Sequence, residues 1–447
     1  MLSDERSIVD NPSRRGGARP AGDSDLPKLL VLDGAYTLEA VRQRGQEAQV
    51  LYRDLDGFFE HVWSVHPFAS LLTSEEWSPR YGKPQTHQLS PRHTFIEGKV
   101  GRFTWLKAIF PLNFLISQID LFLRLRRLIR RERISAIRAP DPLYVGLFGL
   151  ALARSTGIPL VVRVGANNDE LRRFTGKPVN PRLLRTQRLE EAVERFVLSR
   201  ADLVAGANQD NLDFALAHGA RRERSTLFRY GNLIDPRHFV DPAKRPSNAE
   251  LLAELGLEHQ QFIINVGRLA DTASVKHPED VLQVLKFLGE AGLAVKCVIV
   301  GDGPLRSRLL QLAEELGVGD RLIMAGSRSQ EWLAGVFPSA AVNVCPHAGR
   351  ALSEGALAAV PTVAYDVDWQ RELIETGKTG MLVEYRDVTG MANATKWLLE
   401  NRDEAAALGR NLRARGLEML DPERLTAHER EEYRSLLARH SGREAAR

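Results

Sequence analysis

The chain has 447 residues, which is too long for one hydrophobic core and fits two domains of about 200 residues each. Its composition is globular, with 43% hydrophobic and 26% charged residues, and its net charge of +4 is too small to argue for nucleic-acid binding. Cys297 and Cys345 lie in apolar runs, so we expect buried thiols in a reducing compartment, without a disulfide framework or a zinc site.

The N-terminal half is predicted to alternate strands and helices after a disordered tail at residues 1–27, which has no apolar core and so is no signal peptide. Strands are predicted at residues 29–32, 48–52, 134–139, 160–164 and 202–207, and a helix at residues 143–155. Strand-helix-strand units at this spacing imply a doubly wound parallel sheet. Ligands of such a sheet sit beyond the carboxyl ends of its strands.

Several polar residues follow these predicted strands. Arg138 ends one strand, and Asn168 and Asp169 follow the next, where helix capping is the alternative to ligand contact. Gly34 closes the first strand without a G-x-G-x-x-G pattern, which disfavours a nicotinamide or flavin site in this half.

Residues 103–133 form the most amphipathic stretch, apolar at its start and basic at its end. Six arginines lie between Arg124 and Arg133, and polar residues interrupt the apolar run, which falls short of the ~20 apolar residues of a membrane span. We expect a core helix with its arginines on the solvated face. The alternative is a peripheral contact of Arg124 to Arg133 with an anionic membrane.

The C-terminal half repeats the alternation after a polar, proline-containing linker at residues 241–260. Strands are predicted at residues 262–266, 297–300, 321–326, 342–345 and 361–364, and helices close the domain from residue 387 onward.

One unit of this half, residues 342–366, suits an anion. A glycine before a helix lets a ligand approach the backbone, and the first turn presents N–H groups. Gly349, Arg350 and Ala351 occupy these positions, and His347 lies in the same loop. Glu354, one turn further on, is placed to accept hydrogen bonds from a ribose or sugar hydroxyl. Phosphate and hydroxyl recognition together fit a nucleotide sugar.

These residues resemble the retaining GT-B glycosyltransferases of family four. Residues 353–359 (SEGALAA) and 361–364 (PTVA) match the family's second glutamate, small-residue helix and following strand, and Gly349 matches its second glycine. The first motif glutamate, which in the family touches the transferred sugar, is replaced by Pro346.

The resemblance assigns roles to other loops. Gly267-Arg268-Leu269 is similar to the family's Gly-Arg-Leu, whose arginine binds the donor diphosphate, and Lys276 takes the place of the lysine that follows it. An arginine fork and a lysine point charge suit a leaving diphosphate. Gly301-Asp302-Gly303-Pro304 resembles the family's donor-side turn. Many relatives have a glycine-rich, acceptor-facing loop where this chain has only Gly34. Relatives also often carry a His-Gly pair at the place that polar residues such as Asn168 occupy in this chain.

The resemblance therefore implies an α/β protein with two Rossmann-like doubly wound domains of the GT-B type and a nucleotide-sugar cleft between them. The expected boundaries are an acceptor domain at residues 28–240, a donor domain at 261–420, and a helix at 421–447 that packs back toward the first domain. The implied site residues are Arg268, Lys276 and Glu354 for catalysis, Gly267, Gly301, Asp302, Gly303, His347, Gly349, Arg350 and Ala351 for the donor, and Gly34, Arg138, Asn168 and Asp169 for the acceptor.

The implied reaction is transfer of a sugar, with retention, from a nucleotide-diphosphate sugar to a saccharide, glycolipid or other acceptor. No acidic triplet is evident near these motifs, so we expect no metal and no cofactor. We expect a cytoplasmic location, with the inner membrane face as the site of any peripheral contact. Two alternatives remain: a nucleotide-sugar epimerase of the same fold, and a catalytically silent donor-binding protein, which the missing glutamate makes conceivable.

Overall fold

The structure, a computed structural model, describes residues 26–34, 36–43, 47–69, 80–245, 248–269, 277–346 and 349–445. The predictions for Lys276, for His347 and for residues 1–25 lie outside these ranges. The described residues form two α/β units, each built on its own mainly parallel sheet. The predicted class, two Rossmann-like domains, is confirmed.

The N-terminal sheet has eight strands among the described residues. They are β1 (Lys28–Leu32), β2 (His61–His66), β3 (Gln85–Ser90), β4 (His93–Glu97), β5 (Ala136–Ala139), β6 (Leu160–Val164), β7 (Leu203–Gly206) and β8 (Ser225–Leu227). Their order is β3-β4-β2-β1-β5-β6-β7-β8, and only the β3–β4 pair is antiparallel. The order changes direction between β1 and β5, which is where such sheets bind ligands.

The C-terminal sheet has six strands in the described ranges, all parallel. They are β9 (Phe262–Val266), β10 (Lys296–Val300), β11 (Leu322–Gly326), β12 (Val342–Cys345), β13 (Thr362–Tyr365) and β14 (Met381–Val383). Their order is β11-β10-β9-β12-β13-β14, so the change of direction lies between β9 and β12. Of the predicted donor residues, Gly267 and Arg268 follow β9 and Gly349 follows β12, whereas Gly301, Asp302 and Gly303 follow the neighbouring strand β10.

Helices connect and cover the strands. They are α1 (Leu38–Gln43), α2 (Glu47–Leu51), α3 (Phe110–Glu132), α4 (Tyr144–Thr156), α5 (Asn168–Thr175), α6 (Gln187–Leu198), α7 (Gln209–Ala217), α8 (Ala249–Glu254), α9 (Pro278–Glu290), α10 (Arg306–Glu315), α11 (Gln330–Val336), α12 (Arg350–Leu357), α13 (Gln370–Leu373), α14 (Val388–Glu400), α15 (Arg402–Leu420) and α16 (Pro422–Ala445).

Strand β1 shows how the N-terminal sheet buries both faces. Successive side chains of a strand point to opposite sides, and all of Leu29 to Leu32 are buried. Leu30 and Leu32 belong to the core under α3 and α4, whereas Leu29 and Val31 belong to the core that contains Tyr433 of α16. The last helix of the chain therefore covers one face of the first sheet.

The path of α16 depends on a close approach between Gly231 and Leu420. A Cβ on Gly231 would lie 2.1 Å from the Leu420 carbonyl oxygen, so a side chain at position 231 would displace the junction of α15 and α16. Farther along, Arg430 donates to the Leu55 carbonyl (2.6 Å from Nη2), and Glu429 pairs with Arg138. Helix α16 is thus attached to the N-terminal domain by polar contacts as well as by apolar packing.

The strand predicted at residues 48–52 is wrong. These residues form α2 and the start of a short 3-10 turn, Tyr52–Asp54. Only Val50 of this helix is buried, and it packs with Leu38, Val41 and Phe95. The place beside β1 is taken by β2, whose buried Val62 and Val65 fill the sheet.

The amphipathic stretch folds as a 3-10 segment, Thr104–Ile109, followed by α3, with Pro111 in the first turn where a missing N–H costs little. Thr104–Glu132 is long and apolar enough for a membrane span by length and composition alone. The prediction that this run falls short of a span is therefore wrong on those two criteria. In the structure α3 is part of the domain, because Ser117 donates to the Lys99 carbonyl (2.6 Å) and Gln118 to that of Pro67 (3.0 Å).

Residues of the predicted linker pack on the C-terminal domain. Arg245 Nη1 donates to the Ala334 carbonyl (2.5 Å), and Asn248 Nδ2 donates to that of Gly335 (2.8 Å). Cys297 and Cys345 are buried thiols that form no disulfide with each other, as predicted. Burial raises the pKa of the Cys297 thiol to about 12, which makes it unreactive.

Candidate active site

A cavity of about 410 Å³ lies between the two domains, which is within the range of small-molecule sites. We call it the cleft cavity. One wall comes from the carboxyl ends of β6 and β7, including Asn167 and Asn208, and from Tyr230. The opposite wall contains Gly349 and Arg350 at the start of α12. The predicted donor helix therefore faces the N-terminal domain across this space.

The start of α12 provides backbone donors rather than a capping side chain. Gly349 is the N-cap and makes no side-chain cap hydrogen bond, and its φ of −179° is an extended conformation open to any residue. The Leu352 N–H already donates to the Gly349 carbonyl (3.2 Å). Arg350 and Ala351 are the first two helical residues, where N–H groups and the positive end of the helix dipole favour an anion.

Glu354 lies behind this wall and is 2% exposed. It accepts a hydrogen bond from Gln330, whose own Oε1 lies 2.9 Å from His238 Nε2. Burial raises the pKa of Glu354 to about 7, although Arg350 and Gln330 favour its ionised form. A carboxylate in this state changes charge near neutral pH.

The loops after β9 and β10 are held together by their backbones. Gly267 N donates to the Val300 carbonyl (2.9 Å), and Leu269 N donates to that of Asp302 (3.1 Å). Gly301 has a φ of +141°, and a Cβ there would lie 1.8 Å from the Gly267 carbonyl oxygen. Only glycine fits at this position.

The other predicted donor residues of these loops reach solvent. Asp302 is exposed, and its side chain accepts a hydrogen bond from the N–H of Gly303 (2.8 Å). Gly303 itself is partly buried. Arg268 is exposed at the end of β9 and, in the part of the chain that the structure describes, does not line the cleft cavity.

A second cavity, of about 240 Å³, lies deeper in the N-terminal domain. We call it the inner cavity. It shares the wall residues Gln49, Tyr230 and Leu233 with the cleft cavity. Of the four residues predicted for the acceptor, Arg138 lines it. The charged residues Asp33, Arg53, Arg163 and Glu429 also line it and were missed, as was His66.

The sequence did contain a signal for part of this set. Arg138 and Arg163 each stand inside a short, otherwise apolar strand, and both are less than 10% exposed. An arginine in such a strand is unusual and points to a function. Glu429 gave no such signal, because it lies in a charged helix far along the chain.

Gly34, Asn168 and Asp169 have other partners. The Gly34 carbonyl lies 2.8 Å from His66 Nδ1. Asn168 Nδ2 donates to buried Glu194 (2.7 Å), and Asp169 pairs with Arg172 at 2.9 Å. Among the described residues, none of these three lines either cavity. The cap of α5 is Asn167, whose side chain accepts from the N–H groups of Asp169 and Glu170.

Three carboxylates meet at the edge of the cleft cavity, contrary to the expectation that no acidic triplet lies near these motifs. Glu170 and Asp210 belong to the N-terminal domain and Asp368 to the C-terminal domain, and one oxygen of each lies within 4.8 Å of the others. Burial, with Asp210 and Glu170 nearby, raises the pKa of Asp368 to about 7. Burial and Asp210 also raise the pKa of Glu170. Residues about 200 positions apart cannot be paired from one sequence.

Other contacts join the domains beside this triplet. Phe174 of α5 packs on Tyr385 after β14, with ring centroids 4.5 Å apart. Arg229 pairs with Glu372 at 2.6 Å. The cleft cavity is therefore bordered by both apolar and charged contacts between the domains.

Two family models match the chain. The model described as "Glycosyl transferases group 1" matches residues 248–415, and the one described as "Glycosyl transferase 4-like domain" matches residues 36–231. Together with the two facing Rossmann-like domains, these matches define a glycosyltransferase. The chain belongs to the group 1 glycosyltransferases with the GT-B fold.

Among its relatives is the alpha-D-kanosaminyltransferase of Streptomyces kanamyceticus, 25% identical over 295 residues that cover 65% of this chain and 74% of the relative. Another is the N-acetyl-alpha-D-glucosaminyl L-malate synthase of Bacillus anthracis, 25% identical over 52% of this chain and 59% of the relative. The structure of Anabaena HepE in complex with UDP and glucose has the same fold, with a TM-score of 0.65 at 17% identity over 92% of this chain and 100% of that chain.

Proposed function

We propose that this protein transfers a glycosyl group, with retention of configuration, from a nucleotide-diphosphate sugar to an acceptor bound in the N-terminal domain. The observation that carries the proposal is the cleft cavity. The start of α12 faces the N-terminal domain across this cavity, and the cavity adjoins the inner cavity. The UDP and glucose of the HepE complex and the sugars named in the relatives support a nucleotide-sugar donor.

In the proposed reaction the bond between the anomeric carbon and the diphosphate oxygen breaks. The acceptor oxygen forms the new bond on the same face of the sugar, and its proton passes to the departing diphosphate. The N–H groups of Gly349, Arg350 and Ala351 would hold the diphosphate. Arg268, with Lys276, would stabilise the charge that develops on it, and Glu354 would accept hydrogen bonds from ribose hydroxyls.

The replacement of the first motif glutamate by Pro346 means that the transferred sugar is held in another way. We assign the binding of the transferred sugar to three groups of this loop: the backbone after Gly349 and the side chains of His347 and Arg350. His347→Ala should therefore slow turnover while donor binding is retained.

The test is donor binding by calorimetry, followed by release of the nucleoside diphosphate with a panel of donors. Gly349→Val should abolish binding, and because the extended backbone of Gly349 accepts valine, the loss would not come from backbone strain. Arg268→Ala should reduce turnover far more than it lowers Tm, since exposed cations contribute little to folding. Arg195→Ala, at an exposed arginine on α6, is the control.

Two results would reject this function. Interconversion of a labelled donor without acceptor would identify the epimerase instead. Binding of nucleotide without turnover by any acceptor would identify a silent binding protein. The anomeric configuration of the product, read from its NMR coupling constant, tests retention separately.

We also propose that the reaction needs no metal ion, with Arg268 and Lys276 acting on the diphosphate. Turnover should then be unchanged in EDTA. Activity that is lost in EDTA and restored by Mn²⁺ would overturn this point and direct attention to Glu170, Asp210 and Asp368.

We further propose peripheral binding of this protein to anionic membranes through α3 and the turn before it. The apolar side chains of this segment are exposed with a helical spacing of three or four, at Trp105, Ile109, Leu112, Leu115, Ile119 and Leu123, and Trp105 is 76% exposed. Basic residues follow at Arg124, Arg127 and Arg131. An apolar face with adjacent basic residues suits a surface of anionic lipid headgroups.

Co-sedimentation with phosphatidylglycerol vesicles tests this contact. Replacing Trp105, Ile109 and Leu115 by serine should abolish binding, whereas Leu189→Ser with Phe196→Ser, at exposed apolar residues of α6, should not. Glutamine at the arginines should weaken binding, and salt should weaken it in the wild type. Equal sedimentation of wild type and the triple variant would leave α3 with only its structural role.

A further inference from the structure

The inner cavity lies where the N-terminal sheet changes direction. β1 and β5 are neighbours whose following strands run to opposite sides of the sheet, and Asp33 and Pro140 from the loops after them line the cavity. Open α/β sheets bind ligands at this place. Because the cavity shares wall residues with the cleft cavity, a ligand bound in it would adjoin the sugar that is transferred.

The charges that face the inner cavity do not balance. Arg53 pairs with Asp33, and Arg138 Nη1 lies 3.0 Å from Glu429 Oε1. Arg163 has no carboxylate partner in the ranges that the structure describes. The described lining of the cavity thus contains three guanidinium groups and two carboxylates, which leaves one positive charge in it without a carboxylate partner.

Neutral groups fix the position of Arg163. Its Nη2 donates to the carbonyls of Phe228 (2.7 Å) and Arg229 (3.2 Å), and its guanidinium carbon lies 4.4 Å from the centre of the Tyr230 ring. The residue is 8% exposed, and its buried Nε has no hydrogen-bond partner among the described residues. A buried guanidinium with an unused donor is costly unless an anion completes it.

His66 offers the complementary group. It is 1% exposed, and its Nδ1 lies 2.8 Å from the Gly34 carbonyl, which can only accept, so Nδ1 carries the proton. Burial lowers the pKa of His66 to about 4, so the ring is neutral at pH 7. Its buried Nε2 has no partner in the described part of the chain and is an acceptor for a hydroxyl.

We propose that the inner cavity binds the acceptor, and that this acceptor is a small hydroxylated anion, either a hydroxy acid or a phosphorylated polyol. Its carboxylate or phosphate pairs with Arg163, and one of its hydroxyls donates to His66 Nε2. The proposal rests on the function proposed above, because it names the substrate class of that reaction.

Matched ligand pairs test this proposal by calorimetry in the presence of UDP at fixed ionic strength. The pairs are glucose 6-phosphate with glucose, and L-malate with its dimethyl ester. At least one anion should bind about tenfold or more tightly than its neutral partner, since bonds to a charged acceptor are the stronger ones. Arg163→Gln should remove the difference, whereas Arg195→Gln, at the exposed arginine on α6, should retain it.

Two further experiments address a variant that does not fold and the source of the anion. Should Arg163→Gln fail to fold, Arg163→Lys keeps the charge but loses the bidentate fork, and the preference should fall without vanishing. The wild-type pairs are informative without any variant. Vesicles of phosphatidylinositol, compared with soluble inositol 1-phosphate, show whether the anion is a lipid headgroup or a free metabolite. Both are tested on the variant with serine at Trp105, Ile109 and Leu115, because α3 is itself proposed to bind anionic vesicles, and binding of either that is lost with Arg163→Gln supports the proposal.

Equal affinity for charged and neutral partners, or no binding of any of these anions, would overturn the proposal even in a protein that turns over its donor. Failure of the proposed function would be different. UDP and other nucleoside diphosphates would not bind, and Gly349→Val would change nothing.

Discussion

Arg229 of the N-terminal domain and Glu372 of the C-terminal domain form an ion pair, with 2.6 Å between Arg229 Nη2 and Glu372 Oε2. The other carboxylate oxygen of Glu372 accepts from the N–H of Gln209 at 2.7 Å. The two side chains are 18% and 14% exposed, so water screens the pair only in part. One carboxylate therefore attaches two segments of the first domain to the second.

The first prediction is that Glu372→Gln loosens the contact between the domains. The amide can still accept from Gln209, but Arg229 loses its charged partner, at a cost of about 1–3 kcal/mol in the free energy of unfolding. Thermal unfolding should show a lower Tm, and small-angle scattering a larger radius of gyration.

Glu375→Gln is the control for this variant, because Glu375 is 53% exposed and its ion-pair partner among the described residues is Lys378 of its own domain. Equal effects of the two variants would mean that the Arg229 pair does not restrain the domains.

The second prediction concerns the pH dependence of donor binding. With a pKa of about 7, Glu354 is mostly protonated at pH 6 and mostly ionised at pH 8. If ribose hydroxyls donate to it, the affinity for a nucleoside diphosphate should rise about tenfold between these pH values. Calorimetry at pH 6, 7 and 8 measures this.

Glu354→Gln serves as the control, because it has no charge to titrate at this position and keeps the other titrations, including those of Asp368 and of the ligand's own phosphate. A wild-type profile that parallels that of Glu354→Gln would remove the carboxylate from the donor site. Below pH 7 the two proteins should differ least.

The third prediction concerns stability at the carboxylate triplet. The pKa of Asp368 is raised from 3.8 to about 7, so its contribution to stability is complete below pH 4 and is lost as the pH rises through 7. Asp368→Asn removes the repulsion with Glu170 and Asp210, and asparagine accepts the φ of 55° at this position. The Tm of the variant should exceed that of wild type at pH 8, by about 2–4 °C per kcal/mol gained.

At pH 5 the difference between the variant and wild type should shrink. Asp366→Asn, in the same loop and 45% exposed, is the matched control and should have little effect at either pH. A gain of equal size at pH 5 and pH 8 would contradict the assignment of the raised pKa to Asp368.

The fourth prediction concerns Gly301. Alanine there would combine a forbidden φ of +141° with a Cβ placed 1.8 Å from the Gly267 carbonyl oxygen, so the two donor loops must separate. We expect a loss of about 2 kcal/mol or more in unfolding free energy, together with weaker donor binding.

Gly317→Ala separates the two causes, since Gly317 has a φ of +66° but open space around it. It should lose only about 1 kcal/mol and bind the donor normally. A similar loss in both variants would show that backbone conformation alone matters at Gly301.

Local signals explain what the sequence could predict. The buried strands β9, β10 and β12 are mainly apolar and β-branched, and Gly267, Gly301 and Pro346 mark where they end, so their positions and the loops after them can be predicted from the sequence. The prediction of a strand at residues 48–52 was wrong because it relied on Val50 and Leu51. Their neighbours Glu47, Ala48 and Gln49 favour a helix and should have outweighed them. Beyond it, β2, β3 and β4 went unpredicted because their histidines and polar residues obscure the alternation.

The inner cavity could not be predicted from the sequence for a different reason. It joins Arg53, Arg138, Arg163 and Glu429, which only the order of strands and the return of α16 bring together. The carboxylate triplet likewise depends on how two domains meet. Spacing along the chain cannot show that residues so far apart in sequence lie together. The predicted donor residues, in contrast, belong to short motifs of neighbouring residues.

The packing of α16 on the first sheet also sets an order of events during synthesis. Tyr433 lies against Phe59 and Phe228, with ring centroids 5.0 Å and 6.0 Å away. Roughly 200 residues must be added after Phe228 before Tyr433 exists, which at 5–20 residues per second takes on the order of 10–40 s. For that time the N-terminal domain lacks part of its core while the C-terminal domain is still being made. The half of the protein that is translated first is thus the half whose folding is completed last.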